Sequence, residues 1–153
     1  MRAFEAQDAD ALAQIFYDAV RIGAAPFYTP EQLAAWAPLR PSGHVWAARL
    51  KGLTTFVGLA PQVAGFMSLR ADGYLDLAFV APDQQGRGLG QALHHAVLTH
   101  ARAAGLTQLT VEASLAAHRF FSRLGWQEIS RQTIHRHGQD IDNFKMRRST
   151  DEI

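Results

Sequence analysis

Apolar positions recur along this chain in two different periods, and the change of period marks out its organisation. After Asp8, the residues Leu12, Ile15, Phe16, Ala19 and Val20 return every three or four positions, which predicts a helix capped by Asp8 and ended near Gly23. Residues 2–6 before it read as a short first strand. Thr29-Pro30-Glu31-Gln32 predicts a second helix start, with Thr29 as the cap, Pro30 at the first helical position and Gln32 completing a capping box. Leu33 and Trp36 are its apolar positions, and Pro38 and Pro41 follow in a loop. His44 to Leu50 is too short for either period to win and stays open between strand and helix.

From Leu53 the pattern turns to strands. Thr54 to Leu59, Val63 to Leu69 and Tyr74 to Val80 are separated by Pro61, by Ala71-Asp72-Gly73 and then closed by Pro82. Their connections are too short for parallel crossovers, so they form an antiparallel meander. Leu89, Leu93, Ala96, Val97 and Ala101 share one face of a helix over residues 88–104, with Gly105 at its end. Leu106 to Ala113 is a strand, parallel to Tyr74–Val80 because a helix joins the two. Ala116 to Leu124 is a short helix stopped by Gly125; Trp126 to Ser130 and Ile141 to Arg147 are the last strands, with a turn near His137-Gly138. The predicted order is β-α-α-βββ-α-β-α-ββ. It describes an α/β fold with a mixed, mostly antiparallel sheet, in a single domain over residues 1–153.

Composition narrows the class. Of 153 residues, 48% are hydrophobic and 19% charged, enough for a core and a soluble surface. The net charge of +1 comes without a basic stripe, so nucleic acid is not the expected partner. Cysteine is absent, which removes disulfides, thiolate metal sites and a cysteine nucleophile. The first residues carry no apolar signal region and no apolar run approaches the ~18 residues of a membrane span, so a cytoplasmic protein is expected. Seven histidines invite a metal, but His94 and His95 are adjacent on a helix and cannot converge on one ion. His135 and His137 share a strand face without an evident third ligand, so no metal is expected and most histidines should be solvated.

The chemistry concentrates in Gln85-Gly86-Arg87-Gly88-Leu89-Gly90, between a strand and a helix. Alternate glycines let backbone N–H groups approach a ligand, and a helix start adds unpaired donors and a positive dipole end. This is a phosphate cradle. A P-loop needs Lys-Ser or Lys-Thr after its last glycine, and here Gln91-Ala92 follows. A dinucleotide fingerprint needs Gly-x-Gly-x-x-Gly in a parallel sheet; the spacing here is Gly-x-Gly-x-Gly after antiparallel strands.

The run fits Gln/Arg-x-x-Gly-x-Gly/Ala at Gln85, Gly88 and Gly90, and over Val80 to Leu93 it resembles the strand-loop-helix motif of the GNAT acyltransferase superfamily. Glu112 to Trp126, ending in Gly125-Trp126, is similar to that family's second strand-then-helix segment. The resemblance covers nearly the whole chain. It implies an N-acetyltransferase using acetyl-CoA as co-substrate, with a small-molecule or protein amine as acceptor and a possible homodimer through the C-terminal strands.

By that resemblance Phe79 and Val80 pair with the pantetheine arm, and the N–H groups of Gln85, Gly86, Arg87, Gly88, Leu89 and Gly90 hold the pyrophosphate. Arg87 either adds a side-chain contact or points into water. Ser114 stands where many members have an asparagine. The amine must lose a proton before attack. Asp76, in an apolar stretch and by period 2 on a face with Tyr74, Ala78 and Val80, is the expected base, and desolvation should raise its pKa. Its alternatives are a strand-edge aspartate without catalytic duty, or Glu112 as base. Many members have a tyrosine acid where this chain has Phe121. Tyr28 is the replacement acid, unless it only packs on Trp36 or the thiolate leaves unassisted. A non-catalytic acyl-CoA sensor is the alternative function.

Overall fold

The computed structural model describes residues 1–151, so the last two residues of the expected domain lie outside it. Seven strands of the described residues form one sheet: β1 (Arg2–Ala3), β2 (Thr54–Leu59), β3 (Val63–Leu69), β4 (Tyr74–Val80), β5 (Gln108–Ser114), β6 (Gln127–Arg136) and β7 (Gln139–Ser149). Their order is β1-β2-β3-β4-β5-β7-β6, antiparallel throughout except between β4 and β5. Among the described residues five α-helices cover the sheet: α1 (Ala9–Asp18), α2 (Pro30–Trp36), α3 (Gly43–Leu50), α4 (Leu89–Ala103) and α5 (His118–Arg123). No described helix is long and apolar enough to cross a membrane.

The expected meander, glycine turn and parallel crossover are all present. Differences lie at the ends of elements and in the first third of the chain. Segment 43–50, left open by the sequence, is helix α3, started by Ser42 Oγ accepting from Val45 N–H at 3.1 Å. Thr29 and Gln32 form the expected capping box, with Pro30 at the first helical position. Asp8 does not cap α1. Its carboxylate turns back to accept from Glu5 N–H at 2.8 Å and from the Arg2 guanidinium at 2.7 and 2.9 Å. That guanidinium holds the Asp8 carboxyl below its ordinary pKa. β5 begins two residues later than expected and α5 is shorter. β6 and β7 form a longer hairpin because alternating exposed residues carry no apolar signal.

Two cores lie on opposite faces of the sheet. On one, α4 and α5 bury Leu93, Val97, Ala101 and Phe121 against Leu69, Leu75, Leu109, Val111 and Met146. On the other, α1 and α3 bury Leu12, Ile15, Trp46 and Leu50 against Val57, Phe66 and Leu77. Burial of each large side chain contributes roughly 1.5–3 kcal/mol, so these faces fix which side of the sheet each helix takes. A third cluster, around Tyr28, Leu33, Ala35 and Ile141, seats α2 on β7.

Candidate functional site

β4 and β5 are paired only at their beginnings, Tyr74 with Thr110 and Leu75 with Val111. Beyond that point no pairing holds them, and a gap opens toward Val80 and Ser114. Opposed residues of an antiparallel ladder alternate between directly bonded and non-bonded pairs. Ala81 N–H bonds Ala64 O across the ladder at 2.7 Å, and Val80 lies opposite Gly65. Val80 therefore turns its backbone groups away from β3 and into the gap. Phe79, opposite Phe66, turns its own toward β3. The expected backbone pair Phe79 and Val80 thus resolves into Val80 alone, with Phe79 offering its ring. The Val80 carbonyl accepts from Gln85 Nε2 at 3.3 Å, which ties the glycine turn to the strand end.

The gap continues into a groove of about 550 Å³ lined by Ala78, Phe79, Val80, Gln85, Gly86, Gly88, Gly90 and Ser114. Gly86 and Gly88 have φ of +76° and +86°, and a Cβ on either would meet nothing within 4 Å. Their backbone conformation favours glycine, and the space beside them is free. The first helical bond of α4 runs from Ala92 N–H to Gly88 O at 3.0 Å, so the N–H groups of Leu89, Gly90 and Gln91 precede it. Two expected residues stand off the groove. Arg87 is exposed outside it, and the Leu89 side chain packs on the backbone of Gly58 and Gly65. Sequence reasoning missed Arg119 and Arg123, which bring two cations to the groove from α5. Their spacing of four on a short helix after Ser114 was the available signal. Ser114 Oγ accepts from Ala117 N–H at 3.1 Å, which leaves its proton free to donate.

Asp76 differs from expectation because β4 carries a bulge. Ser68 opposes Leu77 and Leu69 opposes Leu75, so Asp76 is the extra residue. The bulge reverses the alternation: Ala78 and Val80 join the α4 face, while Leu77 and Phe79 join the α1 face. Asp76 takes the α3 side, where its Oδ2 meets Arg49 Nη1 at 2.6 Å. A shared face with Ala78 and Val80 and a lone desolvated carboxylate are both corrected by this bulge and this guanidinium. Tyr74 lies near Asp76 and Glu112; burial first, then these two carboxylates, push its phenol up to about 12.

Tyr28 is buried at 7% exposure. Its hydroxyl donates to Asp142 O at 2.8 Å and accepts from Leu115 N–H at 2.9 Å. Burial raises its pKa. The ring meets Trp36 edge-on at 5.7 Å. The single phenolic proton is committed to a backbone carbonyl, so Tyr28 braces β7 against the end of β5; the expectation of a free acid is corrected. Phe121 is 2% exposed and packs edge-on against Trp126 at 5.1 Å, forming part of the groove floor.

The histidines are not all solvated. His94 is 3% exposed, and its Nε2 accepts from Trp126 Nε1–H at 2.8 Å. Burial above all, with the positive charge of Arg148 nearby, lowers its pKa to about 4. His137 sits in the β6–β7 turn at φ +46° and reaches Ala35 O at 2.8 Å. Among the described residues no three histidine or carboxylate side chains converge on a metal position.

β4 and β5 thus part ahead of the glycine turn and leave an elongated slot between them. The model of the GNAT acetyltransferase domain matches residues 24–148, and the chain belongs to this family of acyltransferases. The chain is 33% identical over 148 residues to the N-acetyltransferase YafP of Escherichia coli K12, covering 96% of this chain and 93% of that protein. A GCN5-related N-acetyltransferase from Rhodopseudomonas palustris has the same fold at a TM-score of 0.90, with 34% identity over 97% of this chain and 93% of that one. The phosphinothricin acetyltransferase of Sinorhizobium meliloti, solved with acetyl-CoA, matches at a TM-score of 0.76 and 20% identity, over 97% and 86% of the two chains, which supports the fold.

Proposed function

We propose that this protein transfers an acetyl group from acetyl-CoA to a primary amine by direct attack within a ternary complex. The observation that carries the reading is the β4–β5 gap, edged by the Val80 backbone and ending at the Gly86–Gly88 turn. The pantetheine arm lies in the gap against Val80. The pyrophosphate meets the N–H groups of the turn and the start of α4. Arg119 and Arg123 line the same groove from α5 and add positive charge to it. Ser114 donates its free hydroxyl proton to the arm near the thioester. These residues fit an elongated anionic carrier, since both open glycine positions leave room that no protein atom fills.

In the transfer step the amine nitrogen attacks the thioester carbon. The C–N bond forms, the C–S bond breaks, and the proton lost by nitrogen matches the one gained by the departing thiolate. Val80 N–H faces the gap and supplies a donor for the oxyanion. A thiol pKa of about 8.5 makes the thiolate a fair leaving group without a dedicated acid, consistent with Phe121 at the groove floor and a committed Tyr28 proton. Asp76, one residue beyond the last β4–β5 pair and on the face of α1 and α3, takes the amine proton through water. A cytoplasmic setting belongs to the same reading.

Asp76→Asn is expected to lower kcat about 100-fold at neutral pH and to leave acetyl-CoA affinity unchanged, as read by thiol release and calorimetry. An unaltered pH–rate profile would confine Asp76 to holding Arg49. Tyr28→Phe leaves Leu115 N–H and Asp142 O unpaired, so stability should fall by about 1–3 kcal/mol while kcat in the folded variant changes by less than about threefold, which is under 1 kcal/mol of barrier. A variant of native stability with kcat down about 100-fold, the range of general acid catalysis, would make Tyr28 the acid after all.

A further inference from the structure

A recess of about 70 Å³ adjoins the groove and shares Trp36 and Ser114 with it. Tyr28, Ile134 and Ile141 line its apolar walls, and Asn143 and Arg136 are its polar groups. Asn143 is 8% exposed, and its buried Oδ1 accepts no hydrogen bond. An amide oxygen buried without a partner is costly, and native folds rarely tolerate it without a reason. Asn143 stands directly across from Ser114 in the β5–β7 register, beside the mouth of the gap. Its position is therefore next to the place where the thioester arrives.

Arg136 marks the other end. It lies at the tip of the β6–β7 hairpin, opposite Gln139, four residues along β6 from the Gln132 that opposes Asn143. At about 3.4 Å per residue that is roughly 14 Å of strand, which a long guanidinium side chain leaning back over the recess shortens to small-molecule dimensions. The neighbouring basic groups already have carboxylates: Arg131 pairs with Asp142 at 2.9 Å and His135 with Asp140. Arg136 lines the recess without a hydrogen-bond or ion-pair partner among the described residues.

We infer that the acceptor is a small amine that also carries a carboxylate, as in a free amino acid, with Asn143 Oδ1 accepting the amine N–H and Arg136 holding the carboxylate. This rests on the acetyl-transfer reading and adds the substrate class. Oδ1 orients the nitrogen lone pair toward the thioester. The guanidinium takes the carboxylate in a charge-assisted, two-pronged contact. The recess admits an amino acid head but not a polypeptide end, whose α-carboxylate has become an amide.

Matched acceptors test it. Phenylalanine against phenethylamine and 2-aminobutyrate against propylamine differ by the carboxylate alone, and O-phosphoethanolamine against ethanolamine asks whether the anion is phosphate. Thiol release should give kcat/KM about 10- to 100-fold higher for the carboxylated member of each pair. In Arg136→Ala that ratio should collapse toward one, and Arg136→Lys should restore part of it. Asn143→Leu, which keeps the volume, should lower kcat/KM for both members. Equal efficiency within pairs, or a ratio indifferent to Arg136→Ala, overturns the inference and leaves acetyl transfer standing. A preference confined to the phosphorylated acceptor also overturns it. A protein that binds acetyl-CoA but acetylates no amine overturns both.

Discussion

A Gly88→Glu variant should stay folded and lose acetyl-CoA binding. At φ +86° an L side chain is strained, which costs about 1–2 kcal/mol, too little to unfold a typical domain. No protein atom lies within 4 Å of the new Cβ, so the substitution creates no clash of its own. The carboxylate instead enters the space reserved for phosphate, at the start of α4, where helix N–H groups and the dipole favour an anion. It occupies those donors and repels the pyrophosphate, and a loss of at least about 1000-fold in affinity is expected, equivalent to about 4 kcal/mol. Calorimetric titration with acetyl-CoA reads it, with circular dichroism confirming the fold. Gly88→Ala separates strain from charge and should weaken binding only modestly. Native affinity in the glutamate variant would place the cradle elsewhere.

The second large effect concerns acid stability. His94 accepts a hydrogen bond from Trp126 at its Nε2, so protonation there would set two donors against each other inside the core of α4. Its folded pKa is about 4, against about 6.5 in the unfolded chain. Between these values the unfolded chain binds a proton that the folded protein refuses. Stability is therefore intact above about pH 6.5 and drains away as pH falls toward 4, by about 3 kcal/mol over that window. His94→Gln keeps an acceptor for Trp126 and cannot titrate. Urea unfolding at pH 7 and pH 4.5 should show wild type losing about 2–3 kcal/mol more than the variant. Parallel losses would mean that carboxylates such as Asp8 and Asp142, whose folded pKa values are lowered, account for acid lability alone.

The glycine turn, the meander and the crossover were legible because each follows from local rules: positive φ wants glycine, short connections force antiparallel pairing, and a helical crossover makes neighbours parallel. The site was half legible for the same reason. Val80, Gln85, Gly88 and Ser114 come together along one groove. Asp76 was misread because period 2 assumes an unbroken pleat, and a bulge is set by tertiary pairing with Ser68 and Leu69. Tyr28 was misread because its partners, Leu115 and Asp142, are 87 and 114 residues away. The α3 segment escaped because eight residues do not span enough turns to separate one period from the other. Asn143 carried no signal at all; its buried Oδ1 without a partner is visible only in three dimensions.

Thiol release from acetyl-CoA over a panel of primary amines, with the product identified by mass, tests the central claim most directly. Transfer predicts release that depends on the amine, saturates with it, and yields the acetylated amide in equal amount. Tight acetyl-CoA binding with release that no amine accelerates would contradict the claim and make the groove a sensor of the carrier.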